Sequence, residues 1–78
     1  MRVDLRMAVG KRLRELRMKL GVSQEELAGR AAVHRNYVGS IERGEREVGI
    51  STLASLSLAL GVSLSEFVSD FKPTRRSR

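Results

Sequence analysis

The chain has 78 residues and a formal net charge of +6. This length fits one small domain, near the lower size limit for independent folding. There is no cysteine and only one histidine, His34, so the sequence excludes disulfides, thiolate chemistry and a histidine-based metal site. No pairing of a nucleophile with a base is recognisable, and we expect neither a cofactor nor an enzymatic activity.

The basic charge lies in two parts of the chain. Residues 1–46 carry 11 Lys/Arg against 6 Asp/Glu, residues 47–71 carry 3 acidic and no basic groups, and residues 72–78 add 4 basic groups. This distribution favours an acidic partner, although an ordinary solvated surface gives the same pattern. No apolar run approaches the roughly 20 residues of a membrane span, and the N-terminus lacks the apolar core of a signal peptide. We therefore expect a cytoplasmic protein without a membrane partner.

Apolar residues spaced by three and four predict an amphipathic first helix from about residue 5 to 20. They are Val9, Leu13, Leu16 and Leu20. Gly21 ends this helix, because glycine readily adopts the left-handed conformation that follows a helix C-terminus. Ser23 then precedes a second helix of about residues 24–31 and forms a capping box with Glu26.

A third and a fourth helix follow after short connections. The third covers about residues 35–43 and ends at Gly44, and residues 44–50 form a loop. Ser51 is the expected N-cap of the fourth helix, at about 52–60.

The fifth helix is predicted at about residues 64–71, with Ser63 and Glu66 as a second capping box. No strand pattern occurs anywhere, so residues 1–71 predict a compact, five-helix, all-α domain. Residues 72–78 form a basic tail that we expect to be disordered.

The second and third helices carry the most specific pattern in the sequence. It runs Gly21-Val22-Ser23-Gln24-Glu25-Glu26-Leu27-Ala28, then Arg35-Asn36-Tyr37-Val38 and Ile41-Glu42-Arg43-Gly44, followed by Leu60-Gly61-Val62-Ser63. With these motifs, residues 10–71 resemble the Cro/repressor-type (lambda-repressor-like, XRE) helix-turn-helix family. Within that family, residues 35–46 are most similar to the controller proteins of restriction–modification systems. The resemblance implies a lambda-repressor-like fold and DNA binding.

Two residues depart from the family pattern. The turn position that often holds glycine is Ala32, so we expect either a different turn or strain of roughly 1 kcal/mol. The third helix often begins with Ser, Thr or Asp, and His34 is a poorer cap in that place. His34 then either contacts DNA or is a plain surface residue.

The resemblance implies a set of DNA-binding residues. Gln24 would meet a phosphate at the N-terminus of the second helix, against the alternative of a solvated first-turn residue. Arg35, Asn36 and Ser40 are expected on one exposed side of the third helix, where Arg matches guanine and Asn matches adenine, or where they contact phosphate only. The predicted set is Gln24, His34, Arg35, Asn36, Tyr37, Ser40, Arg43 and Arg46.

The remaining members of the set have backbone roles by resemblance. Tyr37 would pack on the scaffold and offer its hydroxyl to a phosphate, against a purely structural role. Arg43 and Arg46 flank Gly44 and would act as phosphate clamps.

The resemblance also implies two structural features. Arg17 and Glu42 are expected to form a partly buried ion pair between the first and third helices. The C-terminal helices would form a two-fold dimer interface, and within the fifth helix we expect Phe67 to belong to the core. The predicted interface residues are Leu64, Val68 and Phe71, and the alternative is that they close the core of the monomer.

These features predict a sequence-specific transcriptional regulator that acts as a homodimer on a palindromic operator. Double-stranded DNA and a second copy of the chain are its expected partners, and an activating regulator would also contact RNA polymerase. The alternatives are a phage-type repressor and an antitoxin-like module that binds a protein partner. The antitoxin hypothesis is disfavoured because only residues 72–78 lie outside the domain to cover such a partner.

Overall fold

The computed structural model describes residues 4–71, so the predicted basic tail at residues 72–78 lies outside the described part of the chain. Within residues 4–71 the chain forms helices and no strand, which confirms the predicted all-α fold. The helices are α1 (Leu5–Leu20), α2 (Gln24–Ala31), α3 (Arg35–Glu42), α4 (Ile50–Leu60) and α5 (Leu64–Phe67). Helices α1 and α2 have the predicted bounds, and α3 ends one residue earlier than predicted.

One apolar core joins all five helices. Helix α3 packs against α1 and α2, α4 packs against α1, α2 and α5, and the largest fully buried apolar side chains come from every element. They are Leu13, Leu27, Val38, Ile41, Leu56 and Phe67. The prediction that Phe67 belongs to the core is therefore confirmed. Burial of each such side chain contributes about 1.5–3 kcal/mol to the stability of the fold. Packing in this core therefore fixes α2 and α3 against the other helices.

Helix α1 crosses α3 at a glycine. A Cβ at Gly10 would overlap the carbonyl oxygens of Ile41 and Glu42, so only glycine permits this close approach. Glycine inside a helix costs about 1 kcal/mol relative to alanine, and packing is the usual reason for it. The predicted apolar face of α1 is correct for Leu13 and Leu16, but Leu20 is 45% exposed at the C-terminus of the helix.

The turn between α2 and α3 uses the left-handed conformation without a glycine. Ala32 has φ 58° and ψ 42°, and its N–H reaches the carbonyl oxygens of Ala28 and Gly29. The Val33 N–H donates to the Ala28 carbonyl at 2.9 Å, which closes the turn. Of the two alternatives, the turn therefore keeps the ordinary geometry and Ala32 is strained.

The start of α4 differs from the prediction. The helix begins at Ile50 with Gly49 as its N-cap, and Ser51 lies inside the first turn. The Leu53 N–H donates to the Gly49 carbonyl at 3.0 Å, which makes Gly49 the boundary residue, and no side chain caps it. The Ser51 prediction was wrong because the cap at this position is formed by the backbone alone.

Helix α5 is shorter than predicted and ends at Phe67. The Arg12 guanidinium of α1 donates hydrogen bonds to the carbonyl oxygens of Phe67 and Glu66, each at 2.9 Å. The following bonds have a three-residue spacing, such as Phe71 N–H to the Val68 carbonyl at 3.0 Å, so the chain turns instead of continuing the helix.

Both predicted capping boxes begin as expected, but only the first is complete. At α2 the Ser23 hydroxyl accepts from the Glu26 N–H at 3.0 Å, and Glu26 accepts from the Ser23 N–H at 2.8 Å. At α5 the Ser63 hydroxyl accepts from the Glu66 N–H at 2.9 Å without the reciprocal bond among the described residues.

The Ala32→Gly substitution tests the strain in the turn. Removal of the left-handed strain should stabilise the folded state by about 1–2 kcal/mol. The greater freedom of glycine in the unfolded chain should offset about 0.4–1 kcal/mol of this. We therefore expect a net stabilisation of about 0.5–1 kcal/mol in urea unfolding. Arg14→Gly, at an exposed position in the middle of α1, is the control and should destabilise by about 1 kcal/mol. Equal losses in both variants would contradict a strained turn.

Candidate nucleic-acid interface

The helix pair opens a polar groove of about 610 Å³ between the N-terminal end of α2 and one face along α3. Its lining residues are Arg17, Ser23, Gln24, Glu25, Arg35, Asn36, Gly39 and Arg43. The groove therefore brings together four of the predicted DNA-binding residues, namely Gln24, Arg35, Asn36 and Arg43. The structure places His34, Tyr37, Ser40 and Arg46 outside this lining.

The predicted ion pair lies at the base of the groove and is confirmed. Arg17 Nε is 2.6 Å from Glu42 Oε2, and Arg17 Nη2 donates to Glu42 Oε1 at 3.0 Å. The side chains are 13% and 5% exposed, respectively. The hydrogen bond to Glu42 raises the pKa of Arg17, and Arg17 Nη1 also donates to the Val22 carbonyl at 3.0 Å. The two charges thus satisfy each other away from bulk water.

Gln24 is tied to the same ion pair. Its Nε2 donates to Glu42 Oε1 at 3.0 Å, which fixes the amide at the start of α2. A Cβ at the buried Gly39 would lie 3.5 Å from Gln24 Oε1 and 3.2 Å from Arg43 Nη1. Gly39 therefore leaves room for both side chains. The sequence signal for this role was a glycine inside a helix, which usually has a packing reason.

The acidic residues at the edge of the groove engage its arginines. Arg35 Nη1 lies 3.6 Å from Glu25 Oε2, and Arg43 Nε donates to Glu45 Oε2 at 2.8 Å. This hydrogen bond raises the pKa of Arg43 and lowers the pKa of Glu45. All four side chains are more than half exposed, so these pairs are weak and open readily to a phosphate.

Glu26 lies in the same first turn of α2 as Glu25, but its carboxylate is occupied by the helix cap. The backbone hydrogen bond from Ser23 is the main cause that lowers the pKa of Glu26. Because the pKa is lowered, the cap contributes to stability at pH values above the ordinary pKa of glutamate. This contribution is lost as the pH falls through the lowered pKa. Glu26 therefore has a structural role.

His34 is the N-cap of α3, in the place where Ser, Thr or Asp often stands. Its Nδ1 accepts from the Asn36 N–H at 3.1 Å, in an extended backbone conformation. An accepting Nδ1 belongs to the neutral imidazole, which leaves Nε2–H as the available donor. The ring is exposed, so capping and contact with a ligand are compatible.

Ser40 is buried instead of lying on the exposed side of α3. It is 7% exposed, and its Oγ donates to the Tyr37 carbonyl at 2.8 Å. The same Oγ accepts from Arg46 Nε at 3.0 Å. The Arg46 Cζ atom lies 5.1 Å from the centroid of the Tyr37 ring. The expectation was wrong because the chain after α3 folds back and covers this position.

The predicted interface residues of the C-terminal segment are half-buried against the core. They are Leu64, Val68 and Phe71. The large apolar side chains that are most exposed lie in α4, where Leu58 is 80% and Ile50 is 67% exposed. The sequence did not single them out, because the helical spacing of α4 shows which residues share a face but not which face is covered.

Within residues 4–71, no group of three or more His, Asp or Glu side chains is placed to hold a metal ion. No helix in this part of the chain is both long and apolar enough to cross a membrane.

The profile of the helix-turn-helix family matches residues 13–67, and the chain belongs to this family. Control protein C.MunI of Mycoplasma sp is 39% identical over 70 residues, which cover 88% of this chain and 95% of that protein. Control protein C.BamHI of Bacillus amyloliquefaciens is 40% identical over 60 residues, which cover 76% of this chain and 74% of that protein. The solved structure of the restriction-modification controller protein C.AhdI from Aeromonas hydrophila matches with a TM-score of 0.77 and 42% identity, over 80% of this chain and 90% of that one. The resemblance indicated by the motifs is thus confirmed, both to the family and to the controller proteins.

Removal of one partner of the buried ion pair should destabilise the fold strongly. We expect Glu42→Ala to lose about 3–5 kcal/mol in urea unfolding, because Arg17 then remains buried without its counter-charge. The double variant Arg17→Met/Glu42→Leu is the control and should regain most of this loss, since a well-packed apolar pair replaces the charges. A loss below about 1 kcal/mol for Glu42→Ala, as for an exposed pair, would contradict the assigned burial.

Proposed function

We propose that the protein is a cytoplasmic, homodimeric transcriptional regulator that binds a specific palindromic operator in double-stranded DNA as a restriction–modification controller. The observation that carries this proposal is the polar groove of the helix pair, which gathers Gln24, Arg35, Asn36 and Arg43 on one side. The likeness to control proteins over most of the chain supports the biological class. We propose no catalytic role for any residue.

In this proposal the N-terminal part of α3 enters the major groove. Arg35 carries two parallel donors that match O6 and N7 of guanine, and Asn36 can donate to and accept from adenine. Both side chains are exposed and line the groove. Arg35 leaves its exposed pair with Glu25 on binding, which costs little because such a pair contributes only about 0–1 kcal/mol.

The other contacts go to the DNA backbone. Gln24 keeps one amide N–H on Glu42 and offers its second N–H to a phosphate beside the N-terminus of α2. Tyr37 within α3, and Arg43 and Arg46 after it, contact phosphates, and His34 can donate through Nε2–H. Ser40 makes no DNA contact in this proposal, because its hydroxyl is buried and already bonded on both sides.

Selection of bound duplexes from a random pool tests the proposal. We expect a consensus with two inverted half-sites about one helical turn apart. The affinity should fall steeply with salt concentration, because each neutralised phosphate releases counterions. A random consensus together with a flat salt response would contradict the proposed function.

Substitution of Arg35 tests base reading on the selected duplex. Arg35→Ala should weaken specific binding by about 10- to 100-fold, and relax the consensus at one position, since a bidentate contact discriminates by about 1–3 kcal/mol. Arg14→Ala removes the same charge from α1, outside the groove lining, and should change the affinity far less. Equal losses in both variants would indicate general charge attraction instead of base reading.

The exposed side of α4 is the surface that we propose for the dimer. Ile50, Ala54 and Leu58 follow at steps of four and are exposed, so they share one helix face. No charged residue occurs between residues 48 and 65. Depletion of charge around exposed apolar side chains is typical of the core of an interface. Leu64, Val68 and Phe71, which are half-buried, would contribute only their exposed portions.

Leu58→Glu tests this dimer surface by analytical ultracentrifugation. A charge in the middle of the interface should weaken the dimer by at least about 30-fold, as for a hot spot of 2 kcal/mol, while the monomer stays folded. Met18→Glu, at another exposed apolar position, in α1, is the control and should leave the dimer intact. A dimer unaffected by Leu58→Glu, or a wild type that stays monomeric at every concentration, would contradict the proposed surface.

A further inference from the structure

We propose that Ser40 is a positioning residue that holds the Arg46 guanidinium over Tyr37 for contact with the DNA backbone. The inference rests on the proposed function, because it concerns how one DNA-contacting side chain is arranged. Ser40 acts through Arg46 and does not itself touch DNA.

The hydrogen bonds at Ser40 allow only one arrangement of donor and acceptor. A hydroxyl has a single hydrogen, and the Tyr37 carbonyl, 2.8 Å from Ser40 Oγ, can only accept. The hydroxyl hydrogen therefore points to that carbonyl, and its lone pairs face Arg46 Nε, which is 3.0 Å away and can only donate. Ser40 thus serves as a fixed acceptor for one nitrogen of Arg46.

The position of Ser40 protects this contact from water. The side chain is buried within α3, at 7% exposure, whereas Arg46 lies in the exposed segment after the helix. An exposed arginine normally samples many rotamers, and its order must come from partners. Ser40 Oγ holds Nε, and the Tyr37 ring at 5.1 Å from Cζ supports the face of the guanidinium.

Arg46 differs from the two other arginines of the predicted DNA-binding set. Arg35 and Arg43 are paired with Glu25 and Glu45, while Arg46 forms no ion pair within residues 4–71. Its fixed contacts use Nε and the ring face, so both terminal nitrogens remain for a phosphate, which Arg can bind in a bidentate way. The arrangement is therefore ordered before any ligand arrives, and it lowers the entropy lost on binding.

The chain offers a matched control for the loss of a buried serine hydroxyl. Ser57 is 1% exposed, and its Oγ donates to the Leu53 carbonyl at 2.9 Å, as Ser40 donates to Tyr37. Among the described residues, no arginine bonds to Ser57. Ser57→Ala therefore removes a comparable buried hydrogen bond without affecting Arg46.

NMR of the protein without DNA tests the geometry. The Arg46 Cζ atom lies 5.1 Å from the centroid of the Tyr37 ring, so ring-current shifts of the Arg46 side-chain protons report contact with this ring. We expect upfield Arg46 signals in the wild type and in Ser40→Thr, which keeps the acceptor. They should be lost in Ser40→Ala and kept in Ser57→Ala. Retention of the upfield shift in Ser40→Ala would overturn the proposal.

Binding to the selected duplex, and to a mixed-sequence duplex at low salt, tests the consequence. Ser40→Ala should weaken binding by about 2- to 10-fold, because the Arg46 side chain must then be ordered on binding. Ser40→Thr should bind with the wild-type affinity. In the Arg46→Ala background, Ser40→Ala should cause no further loss. Circular dichroism confirms that each variant is folded.

Two outcomes separate the inference from the proposed function. Equal losses from Ser40→Ala with and without Arg46, while the wild type binds DNA, would overturn the positioning role of Ser40 alone. A wild type that binds neither duplex would contradict the proposed function, and the positioning role would fall with it.

Discussion

The ion pair between Arg17 and Glu42 connects every part of the helix pair to the scaffold. It links α1 to α3, receives the Gln24 amide from α2, and reaches the Val22 carbonyl at the turn after α1. Neither charge can remain in this buried place without the other, because the cost of burying an unpaired charge is large. The interaction that orients the three helices therefore also fixes the first side chain of the candidate interface.

Most polar side chains of the candidate interface are held by a neighbour before any ligand is present. Gln24 donates a hydrogen bond to the buried Glu42. Arg35 and Arg43 instead form ion pairs with the exposed Glu25 and Glu45. Exposed pairs are easily exchanged for phosphates, and buried contacts persist. A weak or misplaced anion must compete with these carboxylates. The arrangement therefore favours partners that present several correctly spaced phosphates over diffuse negative charge.

The parts of the structure that depend on local signals could be predicted from the sequence. Gly21 and the Ser23–Glu26 box determine where α1 ends and α2 begins, because both act within one helical turn. The end of α5 could not be predicted, since it depends on Arg12, which is distant in sequence. Ser40 was misplaced for the same reason: helical spacing cannot show that the following loop covers it.

The groove-lining residues of α2 and α3 are the surface that we propose to contact DNA. Mapping of amide chemical shifts during titration with the selected duplex locates this contact residue by residue. We expect the largest changes at residues 24–25, 34–37, 43 and 46, with small changes along the exposed side of α4. Large changes confined to α1 or α4, with the groove unaffected, would contradict this proposal.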